Sequence, residues 1–175
     1  MRPSLTKYAG WLFLAWLLLS PALTVKAQTF RSPQLQKSAL SRAYDQLLNA
    51  RLFNLGGVGY GSVITSEEKA FRTIVESPAA TVMLQRLVRN ANLEGQLYAL
   101  FGLRLIAPEL FPAEAERLKQ TPIAHKDQLF PPPNRKVRLA SGCLVYADFF
   151  QDSIDGIAAG TWDKAFHLNS RTPAP

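Results

Sequence analysis

The residues in this chain best suited to chemistry are its single cysteine, Cys143, and its two histidines, His125 and His167. A thiol becomes a nucleophile once a neighbouring imidazole generates the thiolate and a helix N-terminus stabilises it. The surroundings of Cys143 point elsewhere. Val137, Leu139, Cys143 and Val145 alternate with Lys136, Arg138 and Tyr146, the period of a strand with one buried face. That spacing predicts Cys143 on the apolar face, as a small buried hydrophobe. Beyond that plainer reading, redox sensing or an intermolecular disulfide ranks ahead of catalysis, because no second cysteine offers an internal disulfide.

Other groupings are weaker still. His125 and Asp127 sit two apart and could share a strand face, but two ligands without further clustering do not hold a metal. Asp152, Ser153, Asp155 and Gly156 resemble part of a calcium loop. Aligned on Gly156, its first and twelfth positions are Gln151 and Trp162, which lack the required carboxylates. Glycoside-cleaving carboxylates must converge from separate elements. Glu67, Glu68 and Glu76 fall on expected solvent faces, and Glu94 falls in a first helical turn where the dipole accounts for it. In the glycine run 56–61, Gly56 and Gly61 have phosphate-loop spacing, yet Ser62 and Val63 follow where a lysine is needed. Ser62 also replaces the third glycine of a dinucleotide fingerprint after Gly57 and Gly59, and a helix is expected before the run rather than a strand. A turn with permissive dihedrals accounts for it. No residue is therefore assigned a catalytic, cofactor-binding or metal-ligating role.

These residues are carried by a mainly helical frame. Apolar positions at Leu40, Ala43, Tyr44, Leu47, Leu48, Leu52 and Leu55 predict one amphipathic helix, begun at Ser32-Pro33 or Ser38 and closed by Gly56. Thr65 and Glu68 form a capping box for a second helix with Ala70, Phe71, Ile74 and Val75 inside. Ser77-Pro78 starts a third, lined by Ala80, Leu84, Leu87, Val88 and Ala91. Asn92 caps a fourth whose stretch from Leu97 to Ala107 contains only one charge, Arg104. A helix apolar nearly all round is a central one, and Gly102 in its middle implies close approach by a neighbour. Pro112 opens a fifth helix ending near Lys119. The prolines at 122, 131, 132 and 133 mark an extended connector. A strand around 137–145, a short helix from Asp152 to Ala159 stopped by Gly160, and a return strand at Ala165–Leu168 complete the expectation.

The leader segment, positions 1–27, stands apart. Arg2 and Lys7 precede the apolar core Trp11 to Leu19, Pro21 breaks it, and Val25-Lys26-Ala27 supplies a small-residue cleavage pattern. This reads as a secretory signal peptide. The stretch from Tyr8 to Val25 carries no charge. It reaches the lower length limit of a membrane-spanning helix, so an uncleaved anchor is the competing reading. Removal of the leader leaves positions 28–175, one domain with a sizeable core. The leader takes Arg2, Lys7 and Lys26 and no acidic residue, so the net charge falls from +7 to +4. The basic residues form no block, which excludes nucleic acid as the expected partner.

The region from Ser66 to Ala107, an amphipathic helix, a tight polar turn and the apolar helix LEGQLYALFGLRL, resembles one HEAT-type helical hairpin. With Gly142-Cys143 it is similar to uncharacterised exported bacterial proteins that carry a single such hairpin and a Gly-Cys strand. An array would need further repeats, and no second copy is visible. The resemblance implies no catalytic residues and no cofactor.

The expectation is an α+β, mainly α, fold with four or five helices, a HEAT-like hairpin and a small C-terminal strand pair. Its organisation is a signal peptide at 1–27, a polar segment at 28–36, one globular domain at 37–168 and a tail at 169–175. Within the domain, 37–120 is helical, 121–135 the proline-rich connector and 136–168 a small β/α part. The expected function is a non-catalytic interaction or accessory module of the cell envelope. Its partner would be another envelope or secreted protein, with membrane contact only through an uncleaved leader. The alternatives are a small envelope hydrolase using carboxylates and a redox-responsive protein acting through Cys143.

Overall fold

The computed structural model describes residues 33–121, 123–125, 128–130 and 135–170, with side chains from 37 to 121 and 135 to 166. The leader, its cleavage junction, Asp127 and residues 171–175 of the tail lie outside the described residues, as do the side chains of His125 and His167; Asn169 and Ser170, expected in the tail, end a helix. In chain order the elements are α1 (Pro33–Leu48), α2 (Ser66–Val75), α3 (Ala80–Asn90), α4 (Leu93–Ile106), α5 (Phe111–Gln120), β1 (Ile123–His125), β2 (Gln128–Phe130), β3 (Lys136–Ser141), β4 (Leu144–Phe149), α6 (Phe150–Ala158) and α7 (Asp163–Ser170). The fold is α+β and mainly α.

The frame is built around α4. Asn92 caps it by accepting the Gly95 N–H at 3.0 Å, and its amide donates to Ala50 O at 2.6 Å. Leu97, Tyr98, Leu100, Phe101 and Leu103 are all fully buried, as a helix apolar nearly all round requires. α4 is packed by α1, α2, α3, α5, α6 and β3. At Gly102 an added Cβ would come within 2.8 Å of Leu84 and 3.0 Å of Phe71. The missing side chain is what lets α3 and α2 approach there, compensating the weak helix propensity of glycine. α3 and α4 are joined only by Ala91 and Asn92 and pack against each other. Ser77 accepts the Ala79 N–H at 3.1 Å in the turn ahead of α3.

Seven helices form among the described residues, more than the four or five expected. One of them, α7, replaces the return strand expected at Ala165–Leu168. Trp162 and Phe166 are four apart, and helical winding turns both rings inward. Trp162 meets Phe53 edge-on at 5.2 Å, and Phe166 meets Phe71 at 5.7 Å and Phe101 at 5.4 Å. The first helix is also shorter than its apolar spacing suggests. It ends at Leu48 rather than at Gly56. Phe53 leaves helical geometry to pair with β3, donating to Arg138 O at 2.8 Å and accepting from Ala140 N at 3.1 Å.

The expected single strand at 137–145 is two strands. β3 and β4 pair antiparallel from Lys136↔Phe149 to Ser141↔Leu144, around a two-residue turn at Gly142-Cys143. Gly142 has φ +57, the conformation that the first position of such a turn asks for. The proline-rich connector contains a second short hairpin, with β1 and β2 antiparallel from Ile123↔Phe130 to His125↔Gln128. Arg135, at the entry to β3, is buried. Its guanidinium donates to Leu118 O at 2.6 Å and lies 4.8 Å from the Phe150 ring, so a cation closes the carbonyl end of α5.

Candidate functional site

Two groups of residues converge, one polar and one largely apolar, and they differ in what they can do. The first is internal. Thr65 caps α2, accepting the Glu68 N–H at 3.2 Å. The Glu68 carboxylate does not return to Thr65 as a capping box would have it. Oε2 accepts the Gly56 N–H at 2.9 Å, and Oε1 accepts Arg72 Nη2 at 2.6 Å and Nε at 3.1 Å. Arg72 also donates to Phe166 O at 3.2 Å and lies over the Phe166 ring at 4.4 Å. Glu68 is 0% exposed and Glu67 is buried too, which corrects the expectation that both lie on a solvent face. A buried carboxylate is tolerated only when paired and hydrogen-bonded, and Glu68 is both. The signal in the sequence was Arg72, one helical turn beyond Glu68.

Beside this pair, Tyr98 OH donates to Asn54 O at 2.8 Å and accepts Asn54 N–H at 3.1 Å. Thr65 Oγ1 donates to Asn54 Oδ1 at 3.2 Å. Burial holds the Tyr98 phenol well above its ordinary value, against the lowering effect of its bond to the Asn54 backbone. The phenol therefore stays protonated and serves as a strut between α4 and the segment before the glycine loop. Glu94, instead of answering only to the helix dipole, accepts the Arg138 N–H at 3.1 Å and pins β3 to α4. Glu76 is exposed, as expected.

Asp152 and Asp155 lie on α6, not in a loop, and Asp155 pairs with Lys119. Gly156 is a contact point: an added Cβ would lie 2.8 Å from the Trp162 ring. The calcium-loop resemblance is thereby replaced by helix packing, and no group of three or more metal-ligating side chains occurs among the described residues. Between α1 and α2 runs an open groove of about 340 Å³ lined by Arg42, Gln46, Ser66, Lys69 and Thr73.

The second grouping is at the surface. The glycine run folds back on itself, with Val58 and Val63 bridged antiparallel and Gly59 N–H donating to Gly142 O at 2.8 Å. It is a small loop laid against the tip of the β3–β4 hairpin, with Gly56, Gly57 and Gly59 at positive φ. Cys143 is at that tip and exposed. This overturns the buried placement with Val137 and Leu139. Those two are buried on β3, whereas the chain reverses at Gly142-Cys143, which leaves Cys143 in the turn and Val145 on the returning strand.

β4 is the outer strand of its sheet. Leu144 is 71% exposed and Val145 60%, and Tyr146 and Phe149 are exposed as well. Tyr60 and Val63, on the glycine loop, are exposed too. Val82 and Ile106 are also exposed, but they stand singly on their helices, which is ordinary for a surface. On β4 the apolar residues are nearly continuous (LVYADF), with Asp148 the single charge.

The direction of its backbone groups follows from β3. Arg138 O and Ala140 N are taken by Phe53, and Arg138 N by Glu94. The even residues of β3 therefore face away from β4, and the odd ones pair with it. In the observed register Val137, Leu139 and Ser141 oppose Asp148, Tyr146 and Leu144. The N–H and C=O of Val145, Ala147 and Phe149 must then point to the outer edge, because successive residues alternate direction. Phe149 N–H is satisfied by Asp148 Oδ1 at 2.8 Å and Phe149 O by Ser153 Oγ at 3.1 Å. Val145 and Ala147 have no such partner among the described residues.

No protein-family model, curated protein or solved structure matches this chain.

Proposed function

We propose that this protein is an exported, non-catalytic interaction module of the cell envelope, and that its docking surface is the outer edge of β4 with the adjoining hairpin tip. The supporting observation is the exposed apolar run Leu144, Val145, Tyr146 and Phe149 on a strand whose outer backbone groups at Val145 and Ala147 have no partner among the described residues. An apolar strand edge is a template for another strand, and proteins that do not use one protect it with lysine, proline or a bulge. β4 carries none of these, and its one charge, Asp148, lies at the end next to α6. The partner class is another envelope or secreted protein, delivered to the same compartment by the signal-peptide features of residues 1–27.

The test is a photo-crosslinking amino acid placed at Tyr146 in producing cells, with Glu109 as the control position. The reading expects a discrete adduct from Tyr146 and none from Glu109. Absence of any adduct from Tyr146, or equal adducts from both, contradicts it. Export is checked separately by N-terminal sequencing, which should begin near Gln28. Recovery of the intact chain in the membrane fraction contradicts leader removal and favours the anchor.

One observation favours a second reading. Cys143 is exposed at the hairpin tip, the accessibility that a redox-responsive protein needs. That reading expects function to follow the oxidation state of Cys143 and to be lost in Cys143→Ala.

A further inference from the structure

The occupant of the β4 edge can be chosen on hydrogen-bond and charge grounds. This step rests on the proposal that the edge is a docking surface. Val145 and Ala147 each present outward an N–H and C=O with no partner among the described residues, while those of Phe149 are already used by Asp148 and Ser153. An occupying strand must therefore bond opposite Val145 and Ala147. It must be apolar on both faces, because both faces of β4 are exposed from Leu144 to Ala147.

β4 itself meets both requirements. A second copy turned by a two-fold axis perpendicular to the sheet gives an antiparallel pairing in which each residue meets one of like parity. Centred on Tyr146, the pairing sets Val145 opposite Ala147 of the other copy, and Ala147 opposite its Val145. Each such pair exchanges two hydrogen bonds, so roughly four form and every unpaired outer group of Val145 and Ala147 is satisfied. Tyr146 meets its own copy at the close, non-hydrogen-bonded position, an aromatic cross-strand pair. Asp148 falls opposite Leu144, so no like charges meet.

The neighbouring registers are worse. Centring on Val145 sets Ala147 opposite Cys143, a residue of the hairpin turn and not of the strand. Centring on Ala147 requires the backbone groups of Phe149 that are already engaged. Centring on Asp148 sets two carboxylates against each other, which is destabilising. We infer that the protein self-associates through a two-fold β4–β4 pairing centred on Tyr146, joining two hairpins into one four-stranded antiparallel sheet.

This geometry also fixes where the two Cys143 residues go. Cys143 is opposite Phe149 of the other copy, six positions along the strand from the second Cys143. At about 3.4 Å per residue the two lie roughly 20 Å apart, too far for a disulfide. The dimer is therefore independent of reductant, unlike one joined tip to tip through Cys143.

The experiment is sedimentation velocity of the purified protein over a concentration series with reductant present, with spin-spin distance measurement on protein labelled at its native cysteine. The expected results are a concentration-dependent dimer and a Cα separation of roughly 20 Å after allowance for the label arms. Ala147→Pro removes an outward N–H without touching the β3 ladder, as proline is tolerated on an outer edge. It should abolish the dimer while the circular dichroism spectrum stays unchanged. Ala147→Val, which keeps the N–H, should retain it. Val145→Lys provides a second edge block should the proline variant fold poorly, and should also give monomer.

A protein monomeric at every concentration overturns the inference. So does a dimer that needs a Cys143 disulfide, or one that both edge variants leave intact. The crosslinking at Tyr146 separates this failure from failure of the docking reading. An adduct of twice the chain mass supports the second copy. A discrete adduct of any other mass leaves docking standing and overturns the second copy.

Discussion

At the residue scale, Tyr98 and Cys143 show how position decides chemistry. Tyr98 has both hydrogen bonds to Asn54 and is fully buried, so its folded-state pKa is raised above that of the unfolded chain. A raised folded pKa gives stability that is fully present below the unfolded value and is lost as pH rises. With the unfolded phenol titrating at about 10, unfolding becomes easier above that pH, by up to about 1.4 kcal/mol per pH unit from this group. Denaturation midpoints measured on either side of that pH should fall more steeply for the native protein than for Tyr98→Phe. At neutral pH the variant should be less stable by about 1–3 kcal/mol, because the Asn54 backbone groups lose their partner. Parallel slopes in the two proteins would show that Tyr98 is not the group responsible.

Cys143 was expected inside and lies outside. The alternation of Val137, Leu139, Cys143 and Val145 is a true strand signal, but it runs through a turn. Gly142 was the residue that could have revealed it, as a glycine before the second of two apolar runs is a hairpin signal. The native protein should react with a thiol reagent as fast as the unfolded chain does. Cys143→Ala should change stability by less than about 0.5 kcal/mol, the usual range for an exposed site. Labelling that waits for unfolding would return Cys143 to the interior.

At the scale of elements, α4 carries the account. Leu100 is fully buried among the core residues of this helix. Leu100→Ala should cost about 2–5 kcal/mol, the range for an aliphatic truncation that leaves a cavity, read as a lowered denaturation midpoint. A midpoint unchanged from the native protein would mean that α4 is not the centre of the fold.

The caps and breakers of this region were readable because they act locally. Thr65, Asn92, Pro112 and Gly160 each mark a helix end through their own backbone or side-chain bonding, and the observed elements begin or end beside them. What was not readable depends on partners distant in sequence. The helix through Leu52 and Leu55 has the right apolar spacing, yet Phe53 finds its partner on β3, far along the chain at Leu139. Glu68 looks solvent-facing until the glycine loop returns an N–H to it. The helical signature of Trp162 and Phe166 was hidden in a short segment that fits either period.

At the scale of the whole molecule, the described residues divide into an interior polar cluster that is closely hydrogen-bonded and one strand edge that is not. Glu68, Arg72, Asn54, Thr65 and Tyr98 are spent on holding the glycine loop and the segment before it against α2 and α4. The same loop supports the hairpin tip through Gly59 and Gly142, so the buried cluster positions the exposed edge. None of the described helices is long and apolar enough to cross a membrane. The candidate site was legible only in part: the strand, its apolar content and the Gly-Cys pair were visible, but which strand lies outermost depends on Phe53 and Glu94 covering the other side of β3.

Amide hydrogen exchange at Val145 and Ala147 tests the central claim most directly, because those two groups define the outer edge of β4. In dilute protein both amides should exchange at nearly unprotected rates while Tyr146, bonded to β3, is protected. As concentration rises into the range where a dimer forms, protection should appear at Val145 and Ala147 together. Exchange that stays fast at both positions in assembled protein would contradict the β4–β4 pairing, and protection already present in dilute monomer would contradict the open edge on which the docking claim stands.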